Sequence, residues 1–514
     1  MKRFLQKYDG RITGVLSGFD RRVLRGTLRV LATTGGVMSF LRGVGVAREN
    51  FGASVADVTG QRKEASHQLA HQLDRPVRYL ASSQIRKEAV AREMARADGI
   101  TDGLICVLTC VEPCVSYDIR RRGSKRWLER RLRKCLHLYH YWVDERFGFL
   151  SARLATWMPF SIQVRLNGRE GLARQMDRLD MPYPRDGNCF PWIEDMAQAP
   201  RTMDGLVDLS WPTCLRSVAR RLNPTHEEMF QRYPMDYYGS VHQSEWATDI
   251  RFDSPSDLAS LYPLLIRGGM STFSSPDVMR FLAKKPHGNF PGEGIGDCLA
   301  RPEGIRIKHR RKANSLKIYN QHANLLRVEM TMNDPSAFKA FRPRAWDPDG
   351  PRAWRPLRKG IADLPRRTRV SQGANERYLD ALASLDPDTR LRELVEPVCR
   401  PVRWKGRRAR PLRPWSREDA TLLRAVSRGE FAVGGFRNRD LVVHLFDGQC
   451  DAQEQRRRVS GGVTRKLRLL RAHGILRKVS RTHRYMLTKK GREIATAILA
   501  SQDVTLAPLT KAAA

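Results

Sequence analysis

Between Gly304 and Pro335 the chain reads GIRIKHRRKANSLKIYNQHANLLRVEMTMNDP, and its polar side chains recur at a spacing that could support chemistry. Three short runs alternate apolar and polar residues with period two, the mark of half-buried strands. Ile305 and Ile307, Leu316 and Ile318, then Leu326, Val328, Met330 and Met332 share one face. The opposite face carries Arg306 and Lys308, Lys317 and Tyr319, then Arg327, Glu329, Thr331 and Asn333. Asn320 to Asn324 is polar enough to turn, so a hairpin is expected to set Lys317 and Tyr319 beside Arg327 and Glu329. A phenol, a carboxylate and several cations on one surface can hold a phosphodiester. Glu329 would be metal ligand or acid/base, Tyr319 nucleophile or hydrogen-bond donor, and Lys317 and Lys308 the cations beside them. The same residues also make an ordinary cross-strand charge ladder, so both readings stay open.

A second set lies upstream. Ser244 to Phe252, SEWATDIRF, alternates so that Trp246, Ile250 and Phe252 share one face and Glu245, Asp249 and Arg251 the other. Four residues along a strand span about 13 Å, so Glu245 and Asp249 cannot both hold one ion. Beside the Glu329 strand, one of the two would complete a site for Mg²⁺ or Mn²⁺ of the kind that activates phosphodiester cleavage. Tyr238, with its neighbour Tyr237, is the alternative nucleophile.

The run Lys317, Ile318, Tyr319, Asn320, followed after a short turn by Leu326, Arg327, Val328, Glu329, resembles the late strand pair of plasmid and phage rolling-circle replication initiators. There a tyrosine-rich strand precedes one bearing Arg and Glu; Gln321 stands where those proteins usually have Lys. The resemblance implies a replication-initiator core that nicks a strand.

Charge points the same way. Lys and Arg number 92 against 54 Asp and Glu, a net charge of +38, and 41% apolar content is enough to build real cores. A field of that sign attracts polyanions, so nucleic acid is the expected partner, with DNA placed ahead of RNA but not separated from it by charge. No run approaches about eighteen uninterrupted apolar residues, so no membrane span is expected, and charges interrupt the N-terminus before a signal-peptide core can form. Nine cysteines, an odd number, suit reduced thiols in a cytoplasm. Cys106, Cys110 and Cys114 lack any C-x-x-C pairing and read as small core residues of a strand. His137 and His140 fall on opposite faces of another strand and cannot share a metal.

The elements that must position these groups form an α+β chain of antiparallel sheets covered by helices, ending in a winged-helix domain. Residues 1–98 read as mainly helical, with helices over Phe19–Leu31, Glu64–Leu73 and Gln84–Ala97 (capped by Ser82 or Ser83) around a strand at Val77–Ala81. Residues 99–223 form an antiparallel meander (Leu104–Val111, Val115–Arg121, Lys134–Val143, Phe149–Trp157, Ile162–Leu166) followed by helices over Asn167–Leu179, Trp192–Ala199 and Met203–Arg221. Its basic loop, Arg120 to Lys134, carries Arg126 and Trp127 and suits a phosphate-tracking arm. Residues 224–341 form the second sheet and helix unit, with helices over Asp257–Thr272 and Pro276–Lys284, which holds the candidate site. The Pro, Arg and Trp composition of 342–414 reads as an extended linker with short helices.

From 415 to 502 the pattern is three helices, a hairpin and a closing helix, followed by a tail, 503–514. Ser416 caps the first helix, and the third, Arg456 to His473, sets Leu467, Leu469 and Leu470 under Arg457, Arg458, Arg465, Lys466 and Arg468. The segment TRKLRLLRAHGILRKVSRTHRYMLTKKG is similar to winged-helix domains of bacterial DNA-binding proteins. That likeness implies a helix in the major groove and a wing whose Lys478, Arg481 and Arg484 touch phosphates. The whole chain also resembles a large group of bacterial proteins of about this length, a likeness that carries no function with it. Two readings follow: a DNA-binding protein of a mobile element or replicon whose central sheet nicks a strand for replication initiation, or a non-catalytic DNA- or RNA-binding or transcription-regulatory protein in which Lys317, Tyr319, Arg327 and Glu329 are a binding face only, with Lys308 and Arg327 on nucleic acid.

Overall fold

The computed structural model describes residues 1–123, 125–222, 233–271, 281, 294–301, 304–344, 346–383, 391–428, 431, 435–446, 453–479 and 482–502. The chain divides into two compact units, the first made of Gly14–Asp249 with Glu329–Gln372 and the second of Met1–Thr13, Ile250–Val328 and Gly373–Ala514.

The first unit is built on a sheet whose strands are β1 (Ile12–Leu28), β2 (Val77–Leu80), β3 (Gly103–Arg122), β4 (Lys125–Asp144), β5 (Gly148–Ala155), β6 (Ile162–Asn167) and β7 (Tyr237–Phe252). They lie in the order β2-β3-β4-β5-β6-β1-β7, with the Glu329–Met332 half of β11 (Leu325–Met332) next to β7. The β2 to β3 pairing is parallel, whereas β3 to β4, β4 to β5, β5 to β6 and β6 to β1 are antiparallel, so the sheet is mixed and not antiparallel throughout.

Strand β1 replaces the helix expected over Phe19–Leu31. Its apolar residues Phe19, Val23 and Leu24 mimic helical spacing because both faces of the strand are buried, and Asp20 and Arg22 are buried among them. The β-branched residues Ile12, Thr13, Val15, Val23 and Thr27 favour the extended chain. Glycines there let helices close in: a Cβ on Gly18 would stand 2.6 Å from the Met203 side chain. That methionine belongs to the helix Gln198–Val207, which with Gly168–Arg178 and Trp211–Leu222 covers the main core of Leu16, Phe19, Leu172, Met176 and Trp211. The single helix expected over Met203–Arg221 is thus two, parted at Asp208–Ser210. The helix Lys87–Ala97 begins at Arg86 with no side-chain cap, so Ser82 and Ser83 do not cap it.

The first three expected strands of the meander condense into one long ribbon of β3 and β4, paired from Gly103 with Val143 to Arg122 with Lys125 with a register shift between Leu104 and Cys106. The basic stretch Arg120–Lys134 is therefore mostly strand and not loop. Its charges are partly spent across the ribbon, Arg120 on Glu129 at 2.8 Å and Arg133 on Asp118 at 2.8 Å. Cys106 and Cys110 are buried in β3, and burial pushes the Cys106 thiol up to about 12. Part of the supposed linker also folds, as a hairpin of β12 (Lys339–Arg342) with β13 (Ala353–Pro356) and the helix Leu364–Ala383.

In the second unit the Leu325–Val328 half of β11 is followed by β10 (Asn314–His322), β9 (Gly304–Arg311) and β8 (Gly294–Arg301), in the order β11-β10-β9-β8. Along its whole length β11 is buried, so it has no solvated face of the kind its alternation suggested. The helix expected over Pro276–Lys284 lies outside the described residues save Phe281. Towards the C-terminus a separate core of Val395, Leu422, Leu441, Val463, Leu467, Leu470, Ile475 and Ile498 joins the helices Arg417–Val426, Asn438–Leu445 and Gln453–Ala472 to the hairpin β16 (Leu476–Lys478) with β17 (Tyr485–Leu487) and the helix Lys489–Gln502. Ser416 caps the first of these by accepting from the Asp419 N–H at 3.3 Å. A further hairpin, β14 (Val402–Trp404) with β15 (Arg407–Ala409), packs on the long helix through β14.

Candidate functional site

Neighbouring strands of a sheet run about 4.8 Å apart, so side chains on the same face of adjacent strands can converge on one point. In the first unit they do. Asp20 on β1, Glu245 on β7 and Glu329 on β11, which are consecutive in the sheet order, bring one carboxylate oxygen each to within 4.8 Å of one another. Asp20 and Glu329 are 4% and 3% exposed, and Glu245 is half-buried.

Each carboxylate is oriented by neutral donors. The Asn167 and Asn188 side-chain amides donate to the two Asp20 oxygens at 2.9 and 2.8 Å. Thr331 Oγ1 donates to Glu329 at 3.1 Å, and Gln243 donates to Glu245 at 3.2 Å. Asn167 is also the N-cap of the helix Gly168–Arg178: its Oδ1 accepts from the Arg169 N–H at 2.7 Å while its Nδ2 serves Asp20. Close packing fixes that corner, since a Cβ on Gly168 would stand 2.1 Å from the Phe19 carbonyl oxygen. An all-oxygen set of three carboxylates suits a hard divalent cation such as Mg²⁺ or Mn²⁺.

Beside the triad, Asn167 and Gln243 also line a groove of about 290 Å³ with Arg21, Arg92, Arg165 and His242. Partial burial, and then the charges of Arg25, Lys359 and Arg165, hold the His242 imidazole below its ordinary value, which shows the positive field there. An anion in this groove would lie against the amides that orient two of the three carboxylates.

The sequence expectations are met unevenly. Glu245 and Glu329 come together, and Asp20, hidden in what read as a helix, joins them. Asp249 does not serve as a ligand: its carboxylate meets the fully buried Arg169 guanidinium at 2.9 Å. Arg169 also donates to the Leu16 and Ala247 carbonyls, each at 3.4 Å, so the pair ties β1, β7 and the helix Gly168–Arg178 together. Lys317, Tyr319, Lys308 and Arg327 belong to the second unit and Glu329 to the first. Lys317 and Lys308 are paired across β10 and β9, and Arg327 is completely buried, which removes it from any nucleic-acid surface. Tyr238, in the first unit, has the Arg29 guanidinium 3.6 Å over its ring, and the Tyr237 hydroxyl donates to the Phe160 carbonyl at 3.0 Å. His137 is held between the Cys135 carbonyl at 3.0 Å and Arg153 at 2.8 Å, and His140 is fully buried. Arg126 and the half-exposed Trp127 stand near the end of the β3–β4 ribbon.

On the C-terminal helices Arg457, Arg458, Arg465 and Arg468 are exposed, as is Lys478 on β16. Lys466 is paired with Glu418, and Arg484 donates to the Gly435 carbonyl at 3.2 Å; Arg481 lies outside the described residues. Arg465, Lys466 and Arg468 line a groove of about 500 Å³ with Trp404, Arg407 and Arg408 of the β14–β15 hairpin. This second cationic surface draws on the segment that read as a linker.

No protein-family model, curated protein or solved structure matches this chain.

Proposed function

We propose that this protein binds DNA and cuts one of its strands with a divalent cation, Mg²⁺ or Mn²⁺, held by Asp20, Glu245 and Glu329, as a DNA-processing protein of a mobile element or replicon. The observation that carries the reading is the convergence of those three carboxylates from three consecutive strands. A cation bound there would polarise a phosphoryl oxygen and lower the pKa of a bound water. The chain's own residues do the rest. Asn167, Asn188, Gln243 and Thr331 fix the carboxylate oxygens, while Arg21, Arg92 and Arg165 bind the phosphates on either side of the scissile one. The C-terminal module, three helices followed by a basic hairpin, fits a winged-helix reading in which Arg457, Arg458, Arg465, Arg468 and Lys478 grip the duplex.

Incubation with supercoiled and single-stranded DNA plus Mg²⁺ or Mn²⁺ tests this. Nicked product is expected, and Glu329→Gln and Asp20→Asn should each lower the rate at least about a hundredfold with DNA affinity unchanged. Absence of any product with either cation, or a rate that survives Glu329→Gln, overturns the catalytic reading. A product still bound covalently to protein would bring Tyr238 or Tyr319 back as nucleophile, and its loss in Tyr238→Phe or Tyr319→Phe would identify which.

The burial of Asp20 and Glu329 favours one alternative, a non-catalytic nucleic-acid-binding protein in which the cation staples three strands. In that case EDTA lowers the unfolding temperature of the wild type but not of Glu329→Gln, and no strand is cut.

A further inference from the structure

The β12–β13 hairpin of the first unit exposes three large aromatic side chains that its own fold does not use. Phe341 is 56% exposed, Trp346 79% and Trp354 68%. Phe341 and Trp354 face each other directly across the two strands, with ring centroids 5.7 Å apart and planes tilted by 54°. Trp346 stands in the connecting loop with the Arg344 guanidinium 5.6 Å from its ring. Leaving such rings in water forfeits the stabilisation their burial would give, and large exposed aromatic side chains grouped on one hairpin mark a contact site.

The mount beneath them is packed and hydrogen-bonded. Phe338 and Leu357 are buried, and the Leu357 N–H donates to the Phe338 carbonyl at 2.9 Å. The Arg342 guanidinium, 6% exposed, clamps the hairpin by donating to the Pro343 and Pro356 carbonyls at 3.1 and 2.8 Å. Around the rings the exposed charges are Lys339, Arg344, Arg352, Arg358 and Lys359 against Asp347 and Asp349.

We propose that this hairpin is a stacking platform for single-stranded nucleic acid, with Phe341, Trp346 and Trp354 taking unpaired bases and Lys339, Arg344 and Arg352 the phosphates between them. Aromatic faces interleaved with cations match a strand whose bases are free to stack, whereas duplex bases are hidden from such rings. A protein partner would more naturally meet an apolar surface with few charges at its centre. The inference rests on the nucleic-acid reading above and assigns it a substrate form: the platform lies in the same unit as the triad, and β12 follows Glu329 within a few residues of β11's end.

Full-length protein in EDTA, titrated into labelled oligo(dT) and into a duplex of equal length and followed by anisotropy, separates this from metal chemistry. Trp354→Ala and Trp346→Ala should each weaken oligo(dT) binding at least about fivefold and leave duplex binding unchanged. Trp354→Phe should recover most of the loss, and Trp415→Ala, an exposed ring of the second unit, should do nothing. Unchanged oligo(dT) affinity in the Trp346→Ala/Trp354→Ala double variant, with native circular dichroism, overturns the platform. So does an equal loss on both ligands, or a wild-type dimer in sedimentation that the double variant dissociates, which would make the rings a self-association surface. If the wild type binds duplex but not oligo(dT), the platform fails and the DNA-binding reading stands; if it binds neither, both fail.

Discussion

Three carboxylates whose oxygens lie within 4.8 Å of one another repel, and with two of them almost fully buried water does little to screen that repulsion. A cation bound there would relieve it, and the hydrogen bonds to the triad include neutral amides and a hydroxyl, from Asn167, Asn188, Gln243 and Thr331. Asp249 shows the other solution on the same strand, where a buried guanidinium neutralises the carboxylate. Histidines supply a separate residue-scale test. Burial pushes His140 down to about 4, and its two ring nitrogens have no hydrogen-bond partner. Burial and then the Arg153 charge bring His137 to about 4 as well. A folded state that keeps the imidazole neutral competes with an unfolded chain that takes up protons near pH 6.5. The stabilisation is therefore complete above about pH 6.5 and is lost as the pH falls towards 4, on the order of 3 kcal/mol for His140. Thermal unfolding across pH 4 to 7 should show this decline, and His140→Leu should flatten it and leave the protein no less stable at pH 7.

At the scale of elements, the site depends on where one strand ends and one helix begins. Asn167 closes β6, caps the helix Gly168–Arg178 and orients Asp20, so its two roles can be separated by choice of substitution. Asn167→Ser keeps a capping oxygen but is too short to reach Asp20. Its stability should stay close to wild type, with divalent-ion affinity down about 10- to 100-fold by isothermal titration. Asn167→Ala should lose the same affinity and about 1 kcal/mol of stability as well. Equal affinities in wild type and both variants would show that Asp20 needs no such support. The elements themselves were legible where period and caps survive: the helix Gly168–Arg178 and the three helices and hairpin near the C-terminus follow from them, and the strand through Glu245 kept its alternation although Trp246 to Ile250 are buried on both faces. Strand β1 was not, because burial on both faces erases the period-two signal and leaves an apolar spacing that imitates a helix. Asp20 was lost with it, although glycines and β-branched residues from Ile12 to Thr27 were the sign that could have recovered it. β11 misled in the opposite sense. Its alternation promised a solvated face, yet both faces are covered, and Arg327 is buried with them.

For the molecule as a whole, a net charge of +38 means that association with DNA should be governed by counterion release. A plot of log K against log salt is expected to fall by about 0.9 for each phosphate neutralised on duplex, and Arg465→Ala, Arg468→Ala and Arg408→Ala should each flatten the slope by about that amount. A slope near zero on both DNA and RNA would reject nucleic-acid binding altogether. What the sequence by itself determined is whatever is additive or local along the chain: the charge excess, the period of each one-sided element, the helix cap at Ser416, and the candidacy of Glu245 and Glu329 as ligands. Only the tertiary structure decided that Asp20 completes the triad, that Asp249 is spent on Arg169, and that a proline-rich stretch lifts three rings into solvent. Each of those outcomes depends on which strand lies beside which and on what covers their faces. Residues far apart in sequence meet there through long-range pairing, and no local spacing encodes the partner.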